Sequence, residues 1–310
     1  MTSSTRVWRP DWPCGLGTMR LHQRGAGDPT YRIDVAGRHW RGIRTLEGPA
    51  TLALHVVARD GAVHAEAWGP GADWALASVP DLLGAGDDWS GFDPRDHPVL
   101  VEARRRHPHL RLGRTGLVME ALVPAVLEQK VTGQEAFAGY RMLVRRYGER
   151  APGPGPDRDL WLQPTPEVLR QVPSWEWLRM HVDPARSRAL VTVARVADAM
   201  ERLADLPGEE VERRLRTIPG IGRWTAAEVR QRALGDPDAV SFGDYHVAKD
   251  VGWALTGEPF DDAAMEAYLE PWRPHRQRVV ALLYAAGHRR PRHGARMAPR
   301  THLPARVTRT

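Results

Sequence analysis

Residues 213–229, RRLRTIPGIGRWTAAEV, decide how the rest of the chain is read. An apolar-faced segment runs to Thr217, Pro219 removes a backbone donor, Gly220 and Gly222 free the turn, and Trp224-Thr225 opens a second amphipathic segment. The pattern spells helix, tight hairpin, helix. Two glycines at the mouth of a helix let its first backbone N–H groups approach an anion, and the helix dipole favours negative charge there. Such contacts to phosphate position a protein on DNA without reading its sequence. Alone, IPGIG also suits an ordinary turn between two helices, so its surroundings must decide.

On the C-terminal side, GDPDAVSFGDYHV (235–247) sets Asp244 ahead of the amphipathic YHVAKDVGWAL, which makes it an N-cap by local rules. Asp250 falls inside that helix, and Asp236 and Asp238 read as turn residues. On the N-terminal side, helical spacing runs through HPVLVEARRRHP and GLVMEALVPAVLEQKVTGQEAFAGYRMLVRRYG, where Leu122, Leu127, Val126, Val131, Phe137, Met142, Leu143 and Tyr147 form one stripe. APGPGPDRD (151–159) is too rich in proline and glycine for a helix and reads as an exposed loop. Amphipathic segments then follow one another to Gly287, with Thr165, Asp183 and Asp244 as start residues. The first hundred residues carry period-two alternation instead. TYRIDVAG (Tyr31, Ile33, Val35), RHWRGIRT and the hairpin TLALHVVARDGAVHAEAWG, turning at Asp60-Gly61, predict an antiparallel sheet, with Trp40 and Trp68 packed on its face.

The fold class is therefore α+β, with an N-terminal antiparallel β-rich domain (1–95), an all-α domain (96–288) and a basic tail (289–310). The tail holds seven arginines, no acid and no periodicity, and is expected to be disordered. A chain of 310 residues with 42% hydrophobic and 26% charged residues is of ordinary globular composition. It offers no membrane span and no apolar leader segment, so a cytoplasmic, nucleoid-associated monomer is expected. A lone Cys14 excludes an intrachain disulfide, a multi-cysteine zinc site and a cysteine-ligated iron–sulfur cluster. The net charge of +6 points to an anionic partner. Lysine occurs only at Lys130 and Lys249.

Taken together, TIPGIGRWTAAEV, the aspartate in SFGDYHV, ALVPAVLEQKVTGQEA and EPWRPHRQRVVALLYAAG resemble, in order and spacing, the helix-hairpin-helix DNA glycosylases, specifically the 3-methyladenine DNA glycosylase II family. The resemblance spans residues 96–288. It implies a monofunctional glycosylase of base excision repair that flips a damaged base out of double-stranded DNA and hydrolyses its N-glycosidic bond. That chemistry develops oxocarbenium character on the sugar and calls for a carboxylate, which the resemblance assigns to Asp244. Trp224 matches the family's pocket-wall tryptophan, and Tyr284 a second pocket aromatic. Glu228 stands where well-known members carry another aromatic, and Lys130 follows Gln129 where they insert an apolar wedge. Glu228 is accordingly either a carboxylate at the pocket rim or a solvent-facing helix residue. DNA contacts are expected at Gln129, Lys130, Gly220, Ile221, Gly222, Arg223 and Thr225, and the resemblance implies a monovalent cation on the carbonyls of Arg216, Ile218 and Ile221, with no other cofactor required.

A related branch performs a lyase step with a lysine at the second residue after the hairpin's last glycine. Here that residue is Trp224, so a Schiff base is not expected. Two other readings stay open on sequence: a non-catalytic helix-hairpin-helix DNA clamp, and a glycosylase for mismatched, deaminated or oxidised bases.

Overall fold

The computed structural model describes residues 3–291 except 58, 60 and 96; the basic tail from 292 onward and Asp60 of the expected hairpin turn lie outside the described residues. Strands β1 (Ser4–Trp8), β2 (Tyr31–Ile33), β3 (His39–Thr45), β4 (Gly48–Val56) and β5 (Val63–Trp68) form an antiparallel sheet in the order β1-β5-β4-β3-β2. The β4–β5 hairpin pairs Val56 with Val63, as the alternation predicts. The expected period of TYRIDVAG stops one step early. Val35 is fully exposed, because Asp34 caps a turn through bonds from the N–H groups of Ala36 and Arg38.

The sheet is covered on both faces. A 3-10 segment at Leu16–His22 and the helices α1 (Ala72–Ala77) and α2 (Val79–Leu82) cover one, burying Tyr31, Leu52, Leu54 and Val63. On the other, Trp40 and Trp68 stack with ring centres 5.7 Å apart among Ala151, Leu160 and Leu162. Residues 151–159 are thus more than an exposed loop. They lead from β6 (Glu149–Arg150) through a 3-10 turn to β7 (Trp161–Leu162), and Arg158 lies 3.6 Å over the Trp40 ring. Gly42 is required here, since a Cβ would stand 2.2 Å from the Trp161 carbonyl.

The helices that follow are α3 (Pro98–Arg106), α4 (Val118–Leu127), α5 (Gly133–Tyr147), α6 (Pro166–Gln171), α7 (Ser174–Arg179), α8 (Pro184–Arg195), α9 (Ala197–Glu201), α10 (Gly208–Leu215), α11 (Arg223–Val229), α12 (Val247–Thr256), α13 (Asp262–Leu269) and α14 (Arg276–Ala285). None of the described helices is long and apolar enough to cross a membrane. The long apolar stripe of 116–148 is two helices. Lys130 adopts φ +54°, and Thr132 restarts the chain with a reciprocal Thr132–Glu135 capping box. Thr165 and Asp183 cap α6 and α8 as expected.

Two apolar cores hold these helices. Leu122, Val126, Leu143, Leu190, Val211 and Ala226 join α4, α5, α8, α10 and α11. Leu100, Phe242, Val251, Met265 and Val279 join α3 to α12–α14. Residues 87–92 pack with the second core, where the fully buried Arg278 forms a bidentate pair with Asp87 at 2.7 and 2.8 Å. Breaking such a pair leaves an uncompensated charge, at a cost of about 3–5 kcal/mol.

Candidate functional site

The hairpin lies where the two cores meet. After α10, Ile218 turns the chain by donating to the Leu215 carbonyl, and its own carbonyl accepts from Ile221 N–H at 3.0 Å. Gly220 sits at φ +90° with a would-be Cβ 2.9 Å from Ala189 Cβ, so conformation and space both demand glycine. Gly222 differs. It is extended at φ −94°, and a Cβ there would meet nothing within 4 Å. Its openness leaves the start of α11 accessible.

Three residues expected to touch DNA also bond through their side chains within the protein. Gln129 Nε2 donates to the Gly220 carbonyl at 2.9 Å and to Thr225 Oγ1 at 2.8 Å, tying the α4–α5 turn to the hairpin. Thr225 is buried, which follows from that bond. Arg223 grips both oxygens of Glu266 and lies 3.8 Å over the Phe242 ring, so its guanidinium braces α11 against α13. Lys130 is exposed at the tip of the same turn. Ile221 is buried, leaving its backbone alone for outside contacts.

Trp224 points at the aspartate loop. Its Nε1 donates to Asp244 Oδ2 at 3.3 Å, while Asp244 Oδ1 accepts from His246 and Val247 N–H at 2.7 and 3.1 Å. Asp244 thus sits three residues ahead of α12 and still caps its amides. Its neighbours are all engaged. Asp236 pairs with Arg230, Asp238 with Arg276, and Glu228 with Arg232. Asp250 is buried and accepts from Tyr284 OH at 3.2 Å and from Arg290 N–H. Among the described carboxylates of residues 228–250, Asp244 alone has no cationic or phenolic partner.

Both expectations for Glu228 need correction. It faces neither solvent nor an open pocket: it is 8% exposed, and its oxygens accept from Arg232 Nη1 and Ser241 Oγ, each at 2.6 Å. Asp238 is likewise more than a turn residue, being a buried bidentate partner of Arg276. Tyr284 packs between α14 and α12, and burial followed by the charges of Asp250 and Asp244 pushes its phenol well above the usual range.

Sequence reasoning missed two features beside the site. Tyr245 is 75% exposed with Lys249 Nζ 3.8 Å over its ring, and Arg289 lies 4.3 Å over the Tyr284 ring. The i,i+4 spacing of Tyr245 and Lys249 was a usable signal.

No family model matches the chain. Over 200 residues it is 32% identical to a probable bifunctional transcriptional activator/DNA repair enzyme AlkA of Mycobacterium tuberculosis, covering 63% of this chain. The chain spans 38% of the length of that first curated relative. Over 294 residues it is 26% identical to the DNA-3-methyladenine glycosylase 2 of Escherichia coli, covering 90% of this chain and 95% of that protein. In fold it matches a 3-methyladenine DNA glycosylase from Archaeoglobus fulgidus with a TM-score of 0.73 at 18% identity, over 91% of this chain and 98% of the other.

The curated relatives it matches include DNA-3-methyladenine glycosylases, and its fold is that of a solved 3-methyladenine DNA glycosylase. The segments quoted from the sequence become spatial neighbours here: Gln129 bonds the hairpin at Gly220, Trp224 bonds Asp244, and Tyr284 of α14 bonds Asp250 of α12.

Proposed function

We propose that this chain is a monofunctional DNA glycosylase that flips an alkylated purine from duplex DNA and hydrolyses its N-glycosidic bond, with Asp244 as the catalytic carboxylate. The observation that carries this reading is that Asp244 stands free of any cation beside Trp224, while every nearby carboxylate is spent. A carboxylate left unneutralised is available to stabilise an oxocarbenium-like sugar or to orient water. Its bonds from the His246 and Val247 amides keep it aimed. Trp224 and Tyr284 supply aromatic faces for the flipped base. An N3- or N7-alkylated purine carries positive charge, which weakens its glycosidic bond and strengthens its stacking on an electron-rich ring.

In this reading residues 1–95 form the β-rich domain, 96–288 the glycosylase domain and 289–310 the basic tail, and the enzyme works as a cytoplasmic, nucleoid-associated monomer on damaged double-stranded DNA. The exposed backbone around Gly222 and the Lys130 tip meet the phosphates. The carbonyls of Arg216, Ile218 and Ile221, which follow the last turn of α10, are the groups that would hold a monovalent cation; such an ion would add positive charge beside the phosphate. The deciding experiment is excision from a panel of lesion-bearing duplexes by the wild type and by Asp244→Asn. Release of 3-methyladenine or 7-methylguanine by the wild type alone is expected, and excision unimpaired in the variant removes Asp244 from the mechanism.

A further inference from the structure

The buried charge at Glu228 has a specific place in the fold. Glu228 lies one helical turn after Trp224 on the face of α11 that looks at residues 239–244. After Val229 the helix widens into a π-helical turn, Arg230–Leu234, which ends at Gly235 in the left-handed region. Such turns are rare and re-aim the side chains they carry. Here two are aimed. Arg232 returns to Glu228 at 2.6 Å, and Gln231 Nε2 reaches the Ala239 carbonyl at 2.7 Å and Ser241 Oγ at 2.8 Å. Because the Gln231 amide donates to Ser241 Oγ, the hydroxyl proton of Ser241 is directed at Glu228 Oε1. The Ser241 carbonyl in turn accepts the Asp244 N–H at 3.2 Å. On the far side, Asp262 accepts from Gly243 N–H at 2.9 Å.

The loop that presents Asp244 is therefore pinned from α11 and from α13, and the α11 pin is wholly buried, Ser241 being 4% and Glu228 8% exposed. Burying a carboxylate and a guanidinium costs free energy that an apolar pair of the same volume would not. A buried network that reaches Ser241, three residues before the free carboxylate, has a use for that cost. We propose that Glu228, acting through Ser241, is the positioning residue that fixes the Asp244 carboxylate against Trp224.

This inference rests on the glycosylase reading. Its test is the single-turnover excision rate per active site on a 7-methylguanine duplex, with affinity for a duplex bearing a tetrahydrofuran abasic analogue measured beside it. Ser241→Ala removes only a hydroxyl, and Glu228→Gln keeps shape and an acceptor oxygen. Each is expected to lower the rate about tenfold with abasic-duplex affinity within about twofold of wild type, and the double variant to lose no more than either single one, since both break one chain of bonds. A purely structural role would lower thermal stability and the active fraction while leaving the rate per active site intact, and that result overturns the proposal. Should Glu228→Gln fail to fold, Ser241→Ala decides alone. A wild type that releases no base from any lesion sinks the glycosylase reading and this inference with it, whereas an active wild type with unimpaired variants sinks only the inference.

Discussion

Replacing Asp244 by asparagine separates chemistry from binding more sharply than any other single change. The asparagine oxygen can still accept the N–H groups of His246 and Val247, now 2.7 and 3.1 Å away, so the start of α12 should survive. What is lost is the charge and the 3.3 Å bond from Trp224 Nε1. A carboxylate about 4 Å from a developing oxocarbenium centre, at an effective dielectric near 20, contributes about 4 kcal/mol. At about 1.4 kcal/mol per decade that amounts to a rate loss of about a thousandfold, and partial charge development in the transition state brings the expectation to between about a hundredfold and a thousandfold. The lost indole bond is worth about 1 kcal/mol and acts mainly on the ground state. The assay is single-turnover release of 3-methyladenine or 7-methylguanine at saturating enzyme, with duplex affinity read by fluorescence anisotropy. Excision within tenfold of wild type would refute the electrostatic reasoning, and a parallel loss of duplex affinity would show that Asp244 holds DNA instead.

The hairpin glycines should behave differently from each other: Gly220→Ala is expected to cost about 1–3 kcal/mol in urea unfolding and to weaken damaged and undamaged duplex alike, whereas Gly222→Ala should leave stability within about 0.5 kcal/mol. Incubation with a lesion duplex and borohydride should yield no trapped adduct and no strand nick; an adduct at Lys130 or Lys249 would overturn the monofunctional reading. Excision of 3-methyladenine or 7-methylguanine should outpace that of neutral hypoxanthine, and Trp224→Ala should lower the charged-base rate about tenfold or more; equal rates on both lesions and an indifferent mutation would discard lesion charge and stacking as the basis of selection. Glu201 caps the first amides of α4, and burial, with the Glu120 charge adding to it, raises its carboxyl to about 7. A raised carboxyl binds its proton more tightly in the folded state, so its contribution is complete below the unfolded value and is lost as pH rises through 7. Wild type should thus lose about 3 kcal/mol relative to Glu201→Gln between pH 4.5 and 7.5 in urea titrations, and parallel curves would reject the assignment.

The sheet was legible because period-two alternation reports one buried face, and β5 shows it cleanly. Its second cover was not. β4 is buried on both sides of its centre, and what buries it arrives from residues 151–162, a Pro-Gly segment whose local chemistry signals only a turn. A stripe of apolar residues likewise looked continuous from 116 to 148, because helical period survives a short interruption. The break is set by the capping box at Thr132, which S/T-x-x-E spacing does encode.

At the site, the readable residues were those whose function is carried by backbone or by spacing. Gly220 announces a left-handed turn in any context, and Asp244 caps the amides that follow it whether or not it does chemistry. Residues with a partner far along the chain carry contacts that the sequence does not show. Arg223 and Gln129, both expected to contact DNA, also bond within the protein, Arg223 to Glu266 43 positions away and Gln129 to the Gly220 carbonyl 91 positions away. Glu228 is the clearest case. Its i,i+4 arginine is visible in sequence and by itself suggests an exposed helical pair. It is the π-turn, invisible to a 3.6-residue period, that carries Gln231 to Ser241 and buries the pair against the Asp244 loop. Asp244 is left without a cationic or phenolic partner because each neighbouring acid is matched to its own arginine or tyrosine, and those matches are made in space.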